Sequence, residues 1–355
     1  MGERVGLSNL GNTCYLNSCV QILRKIPEFR EITTKYAELT PPQTPDRTLL
    51  CAWTELQNAM QKINPTIDEL PPNISAVVNP VPFVQRVRHI ASCKNHTLFT
   101  GYAQNDMSEF LLFLIDTIHN AIKRPVNIKI NGSPVSDTDN LAVQCYRFLQ
   151  QSYAKEYSEL FDVFYGVSVT QIRHPTTSKL FSIKPEHFFI VDLPLAHIHP
   201  SSHEITIYDC MDAYCADDTL DNKNENAWYN DATKQKEPTV LKNTMFWSFP
   251  KILVFTFNRF VPGFQKNNRL VRFPIENLQL AKYVKGYRPD SYVYDLFGVC
   301  NHYGSISGGH YTAVSREIDE RGNKTRWMEY NDSHANMAQQ VETNAAYCVF
   351  YRKRG

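Results

Sequence analysis

The sequence predicts an α+β protein with two lobes. Apolar residues recur at helical spacing through the first 160 residues, and from residue 161 onward the pattern changes to strand-like alternation and short apolar runs. Helices therefore come first and strands later. That order excludes a chain of alternating βα units and leaves a cleft between the lobes as the default place for chemistry.

Taken in order, Leu16, Cys19, Val20 and Leu23 mark a first helix after a polar start. Residues 104–118 form a second helix, apolar around most of its surface and so expected to be buried. Residues 161–170 alternate as a strand does. The runs 188–193 and 251–257, followed by 292–300, 311–315, 327–330 and 347–351, complete the strand set. A short amphipathic helix is expected over 208–214, and two polar stretches, 217–238 and 261–270, read as loops. Proline clusters at 40–45, 71–82 and 185–200 mark joints.

The length of 355 residues allows about two domains or one large one with an insertion, and a core that needs no staples. Lysine plus arginine total 37 against 36 acidic residues, a net charge of +1. A dedicated nucleic-acid or membrane-surface protein would carry a strong basic excess, so neither partner is expected. No apolar run approaches the roughly 18 residues of a membrane span. The N-terminal MGERVG has no apolar signal region, and Gly6 stands where a myristoylation signal wants Ser or Thr. Nine cysteines, an odd number with scattered spacing, do not form a disulfide framework. The expectation is an intracellular chain, in cytoplasm or nucleus or both, in which a match such as Asn73-Ile-Ser75 carries no glycan.

Three segments carry chemistry. In GLSNLGNTCYLNSCVQIL (6–23), Cys14 stands at the start of the first helix, where unpaired N–H groups and the helix dipole favour a thiolate. Asn12, two residues earlier, can donate to an oxyanion formed on a carbonyl attacked by Cys14, and Gly6 and Gly11 permit a tight loop. A buried structural cysteine after an ordinary cap is the alternative. In CNHYGSISGGHYTAV (300–314), His310 follows Gly308 and Gly309, whose lack of side chains lets a substrate backbone approach. A distant cysteine and histidine are the usual parts of a cysteine nucleophile, with His302 as the competing histidine. In WMEYNDS (327–333), either Asn331 or Asp332 can fix the imidazole tautomer, or the pair is a simple turn.

In the order Cys, His, Asn/Asp, these segments resemble the ubiquitin-specific protease family of deubiquitinases. The first segment looks like its cysteine box, and YDLFGVCNHYGSISGGHYTAV with WMEYNDS looks like its histidine box. QNDMSEFLLFLID (104–116) is similar to the family's QQD-x-x-EF segment, and FPKILVFTFNRF (249–260), RFPIENLQL (272–280) and the terminal AYCVFYRKR also fit. The resemblance covers essentially the whole chain.

The resemblance implies a papain-like fold of thumb, palm and fingers in one catalytic domain, 1–355: a helical thumb to about 160, fingers with palm strands over about 161–246, and palm over about 247–355. It implies a deubiquitinating cysteine protease with Cys14 as nucleophile, His310 as general base, Asn331 as third member, Asp332 as an assisting residue and Asn12 at the oxyanion position. Ubiquitin, free or on ubiquitinated proteins, is the implied partner, its globular part on the fingers and its tail between thumb and palm. Asp106 and Glu109 would hold that basic tail, with Gln104, Gly308, Gly309 and Tyr311 lining its path. The stretches 261–270 and 303–309 look like the family's blocking loops. An isopeptidase for another ubiquitin-like modifier, or a silent ubiquitin-binding scaffold, are the alternatives, a general papain-like peptidase being further off.

The chain departs from the family in the fingers. Many members hold a structural zinc on two CxxC pairs there, but 172–179 reads IRHPTTSK, and Asn230 follows Trp228 and Tyr229. No zinc and no cofactor are expected. The remaining candidates, Cys210, Cys215, His197, His199 and His203, do not have a standard zinc spacing. The cysteine box begins at residue 6, which suggests no further domain before it.

Overall fold

In the computed structural model, residues 4–39, 44–63, 74–195, 198, 204–260, 265–305, 308–318 and 324–355 are described. A short strand, β1 (Val5–Leu7), leads into helix α1 (Cys14–Leu23), all ten residues of which are buried. Two polar residues of this helix are bonded within the interior: Gln21 Nε2 donates to the Val5 carbonyl at 2.9 Å, and Asn17 Nδ2 to Asp332 Oδ1 at 2.8 Å. The helical part continues with α2 (Pro27–Leu39), α3 (Pro45–Lys62), α4 (Val81–Cys93), α5 (Met107–Ile122), α6 (Asp137–Tyr153) and α7 (Leu160–Phe164), while β2 (Ala76–Val78) pairs in parallel with β1. Proline begins helices here as well as breaking them. Pro45 sits in the first turn of α3, behind Thr44, whose hydroxyl accepts from the Arg47 N–H at 3.3 Å.

Two differences from the sequence expectation have local causes. Helix α5 starts at Met107 because Asp106 caps it, its carboxylate accepting from the Ser108 and Glu109 N–H groups. Residues 161–164 belong to α7 rather than a strand. Leu160, Phe161, Val163 and Phe164 are all buried in that short helix, and a four-residue apolar stretch has no period long enough to separate the two structures.

The strand part follows: β3 (Gly166–Arg173), β4 (Leu180–Phe188), β5 (Ile190–Pro194), β6 (Ile205–Thr206), helix α8 (Ile207–Cys215), β7 (Asp218–Asp221), β8 (Tyr229–Asn230), β9 (Gln235–Lys236), β10 (Thr239–Ser248), β11 (Ile252–Asn258), β12 (Val271–Arg272), β13 (Leu278–Gln279), β14 (Val293–Ser305), β15 (Gly308–Ile318), β16 (Lys324–Asn331), β17 (His334–Met337) and β18 (Ala346–Lys353). The main sheet has the order β17-β16-β15-β14-β18-β11-β5, with β13 also on β14; a smaller sheet has the order β4-β3-β10-β7. In the main sheet β11 and β5 run in parallel.

Strand β11 shows why its segment reads as one unbroken apolar run. Ile252 and Val254 join the core under the helices, whereas Leu253, Phe255 and Phe257 join a second core on the other face. Both faces of the sheet are covered, so no polar alternation survives. Helix α1 lies against β14 and β15, so closely that a Cβ on Gly298 would stand 2.9 Å from Ile22 Cγ2. The stretch 217–238, expected as loop, contains β7 and the β8–β9 hairpin. These strands are exposed on most positions and so carry no apolar signal.

At the end of the small sheet, the positions expected of zinc-binding pairs hold other chemistry. His174 Nδ1 accepts from the Thr176 and Thr177 N–H groups, both at 3.3 Å. Asn230 Nδ2 donates to Glu237 Oε1 at 2.6 Å, and Phe181 stacks on Trp228 with ring centroids 6.0 Å apart. These residues do not fit a thiolate zinc site. Among the described residues no group of three or more His, Cys, Asp or Glu is placed to hold a metal; His197, His199 and His203 lie outside them. Nor, among the described residues, is any helix long and apolar enough to cross a membrane.

Candidate active site

The loop before α1 is built on its own polar side chains. Asn9 Oδ1 accepts from the Gly11 N–H at 3.0 Å and the Thr13 N–H at 3.2 Å, and Thr13 Oγ1 accepts from the Leu10 N–H at 2.9 Å. Gly11 and Asn12 both take left-handed backbone conformations, with φ of 88° and 56°. Thr13 stands at the cap position but turns its hydroxyl back to Leu10, so no side chain caps α1. The first N–H groups of the helix stay open around Cys14.

Cys14 is only 3% exposed. Burial raises its thiol pKa, and the nearby Asp332 charge adds to the rise. Hydrogen bonding from the Tyr311, Tyr15 and Cys14 backbone N–H groups pulls it down without cancelling the rise. Burial thus works against the thiolate expected from the helix start.

His310 projects from β15, and its Nε2 lies 2.7 Å from Asn331 Oδ1 at the end of β16. A carbonyl oxygen can only accept, so Nε2 carries the proton and Nδ1 is left bare to receive one. Asp332 turns the other way. Its backbone is left-handed (φ 48°), its carbonyl accepts from the Leu7 N–H at 2.8 Å, and its carboxylate accepts from Asn9 Nδ2 at 2.9 Å and Asn17 Nδ2 at 2.8 Å. Of the two candidates, Asn331 orients the imidazole and Asp332 ties the Cys14 loop to the sheet. The backbone of Tyr311, next to His310 on β15, lowers the Cys14 thiol pKa where α1 packs on that strand, but no hydrogen bond joins thiol and imidazole.

The Asp332 charge has a measurable consequence. Thiolate forms as pH rises through the thiol pKa, and Asp332 raises that pKa. Replacing Asp332 with Asn removes the charge, so the pH profile of Cys14 alkylation by iodoacetamide is expected to move to lower pH. Mass-spectrometric rates across pH read this directly, and a profile that stays put or moves upward would contradict it.

The competing His302 is a packing residue. It is buried among Phe260, Tyr311 and Tyr347, and burial, with the Lys266 charge behind it, pushes its pKa down to about 4. It sits directly under Gly309: a Cβ there would stand 2.2 Å from His302 Nε2 and 2.4 Å from the Tyr303 carbonyl. Only glycine fits at 309.

Asn12 Nδ2 donates to the Tyr102 carbonyl at 2.9 Å, which leaves its second amide hydrogen uncommitted. Gln104 spans from Asn12 to the His310 strand. Its Nε2 donates to the Gly309 carbonyl at 3.0 Å and to Asn12 Oδ1 at 3.4 Å, and its Oε1 accepts from the Gly309 N–H at 2.8 Å.

The acidic pair of α5 divides in role. Besides capping the helix, Asp106 accepts from the Tyr347 hydroxyl at 2.6 Å and the Tyr311 hydroxyl at 3.2 Å. Its carboxylate is engaged from all sides and helps to fix the cleft wall. Glu109 is exposed, and its carboxylate makes no hydrogen bond among the described residues; burial first, then Asp106, raises its pKa. Two cavities meet at Asp106. One of about 310 Å³ is lined by Gln104, Asp106, His302, Gly308, Gly309 and Tyr311 among others. The other, about 640 Å³, is lined by Glu109, Asp192, Arg259, Phe260 and Tyr347 among others.

Sequence reading missed Tyr347, Asp192 and the role of Arg259. The guanidinium of Arg259 is fully buried, and burial lowers its pKa to about 10. It donates to the Ala346, Asn267 and Arg269 carbonyls at 2.7, 2.8 and 2.9 Å, fixing residues 267–269 beside the cleft. Lys266, next in that stretch, donates to the His302 carbonyl. The Arg-Phe pair at 259–260 signalled this in the sequence. Residues 261–264 and 306–307 of the two candidate blocking loops lie outside the described residues.

A family model described as "Ubiquitin carboxyl-terminal hydrolase" matches residues 5–351. The chain is 30% identical over 356 residues to ubiquitin carboxyl-terminal hydrolase 2 of Bos taurus, covering 98% of this chain and 54% of that protein. It is 29% identical over 374 residues to ubiquitin carboxyl-terminal hydrolase 21 of Homo sapiens, covering 98% of this chain and 61% of that one. The chain thus spans between half and two thirds of these relatives' lengths. Among solved structures, the SAGA Ubp8/Sgf11/Sus1/Sgf73 DUB module bound to ubiquitin aldehyde contains a chain of the same fold, with a TM-score of 0.69 and 20% identity, covering 99% of this chain and 69% of that chain.

Proposed function

The chain belongs to the ubiquitin carboxyl-terminal hydrolase family, and from that premise we propose that it is a thiol-dependent deubiquitinase, hydrolysing the peptide or isopeptide bond after the C-terminal glycine of ubiquitin. The observation that carries this reading is the 2.7 Å bond from His310 to Asn331, on a strand packed against the helix that Cys14 opens.

The mechanism follows from the tautomer. Asn331 holds Nε2–H, and bare Nδ1 takes the proton from Cys14 Sγ as the sulfur attacks the glycine carbonyl. A raised thiol pKa suits this order, because charge develops only as the bond forms. The Cys14 N–H and the uncommitted Asn12 amide hydrogen stabilise the oxyanion; losing one such donor typically costs ~10²–10³ in rate. Nδ1–H then protonates the departing lysine amine, and water, deprotonated by the same nitrogen, releases the thioester.

On this reading the helical part to about residue 160 is the thumb, residues of about 161–246 supply the fingers with palm strands, and about 247–355 form the palm. Ubiquitin or a ubiquitinated protein rests on the small sheet, its basic tail entering past Glu109 and over Gly308 and Gly309. An intracellular location, in cytoplasm or nucleus, belongs to the same proposal.

The test is reaction with a panel of ubiquitin and ubiquitin-like proteins carrying a C-terminal electrophile. Labelling of Cys14 by the ubiquitin probe is the expected result. Labelling by another modifier alone would move the activity to that modifier, and labelling by none would leave a binding scaffold.

A further inference from the structure

Strand β15 has one unpaired edge beside the active site. Strand β14 covers one side of it along residues 308–315, but β16 pairs with β15 only from Ala313 to Ile318. The stretch 308–312, which contains His310, therefore lacks a strand on its second side. An exposed edge of this kind is where an extended peptide adds itself by main-chain bonds. Gly309 presents both its N–H and its C=O there, the pair that one residue exchanges with a partner in an antiparallel ladder. Both groups are already taken, at 2.8 and 3.0 Å, by the two ends of the Gln104 carboxamide. That carboxamide has the donor and acceptor of a peptide group. It also walls the cavity over Gly308, where an added Cβ would stand 3.1 Å from Gln104 Oε1.

We propose that Gln104 holds the substrate's place: its side-chain amide occupies the Gly309 N–H and C=O that an incoming extended tail pairs with, and the tail must exchange for it to reach Cys14. This rests on the deubiquitinase reading and deepens it, since it names the residue that competes with the substrate backbone. A tail that satisfies both Gly309 bonds and is narrow enough to pass Gly308 displaces Gln104 at little net loss of hydrogen bonding. A chain that cannot make both bonds does not. Apparent affinity is reduced by the fraction of molecules in which the place is held.

Gln104 is exposed, so its substitution leaves the core intact. Gln104→Ala removes the amide, and Gln104→Met keeps the bulk but offers neither bond. With ubiquitin bearing a C-terminal fluorogenic amide, both variants are expected to lower KM by about fivefold, the order expected for losing two exposed hydrogen bonds, while kcat changes by less than about twofold. Alkylation of Cys14 by iodoacetamide, which needs no ubiquitin, is expected to quicken by a similar factor in both. A KM that is unchanged or higher in either variant overturns the proposal, since Gln104 would then be structural or would help to bind the tail. If the unaltered protein turns over no ubiquitin substrate, the deubiquitinase reading falls by itself. The alkylation rates then decide: faster in both variants supports place-holding, equal or slower overturns it.

Discussion

Replacing Cys14 with Ala is expected to abolish turnover of a ubiquitin C-terminal amide, by about 10⁶-fold, the scale seen when a covalent nucleophile is removed. Three further thiols of the core do not take over. Cys19, Cys300 and Cys348 are fully buried, and burial pushes their thiols well up, so none is available as a second nucleophile. Binding should survive. The Cys14 side chain is 3% exposed and contributes almost nothing to the surface that a tail would touch. The affinity of the variant for ubiquitin is therefore expected within about threefold of the unaltered protein, because loss of a contact this small is worth only tenths of a kcal/mol. Fluorogenic hydrolysis with a parallel binding titration checks both halves. Residual cleavage within a hundredfold of the unaltered protein would remove Cys14 from the chemistry.

The second large effect is expected at the histidine and should be unequal to that at its partner. His310→Ala removes the proposed proton acceptor for the thiol, and a loss of about 10⁴ in kcat is expected, the upper end for general acid–base catalysis. Asn331→Ala removes one 2.7 Å bond and leaves the imidazole in place. Asn331 is neutral, so it selects a tautomer and an orientation without balancing the charge of an imidazolium. Its loss is expected to cost about 10- to 100-fold, less than a buried carboxylate costs in the same position of a triad. Side-by-side turnover numbers at one pH settle the comparison. An Asn331→Ala defect as deep as that of His310→Ala would mean that orientation, not proton transfer, limits the reaction, or that Asp332 does not act only on the cysteine side.

Much of this site was legible before folding. Cys14, His310 and the Asn-Asp pair lie in segments dense with turn formers and helix starts, where local chemistry constrains the residue type. Only the resemblance put Asn331 in the third place; the residues by themselves left open the split between Asn331 and Asp332. It depends on a left-handed residue at 332 that turns adjacent side chains in opposite directions, one to the imidazole and one to Asn9 and Asn17. The partners of Asp106 were hidden for a similar reason. Spacing put it with Glu109 on one helix face, but it stands at the cap, and Tyr311 and Tyr347 reach it from strands more than 200 residues away.

By itself, the order of apolar periods determined that helices precede a sheet, and residue types at a few turns marked Cys14, His310 and Asn12 as candidates for a nucleophile, a base and an oxyanion donor. Those signals are local, carried by neighbours in the chain. How far the sulfur is desolvated, which amide faces which backbone group, and which carboxylate stays open to a ligand were decided only when α1 packed against β15. Desolvation and hydrogen-bond partnership depend on groups brought close from distant parts of the chain, and no spacing within a single segment encodes them.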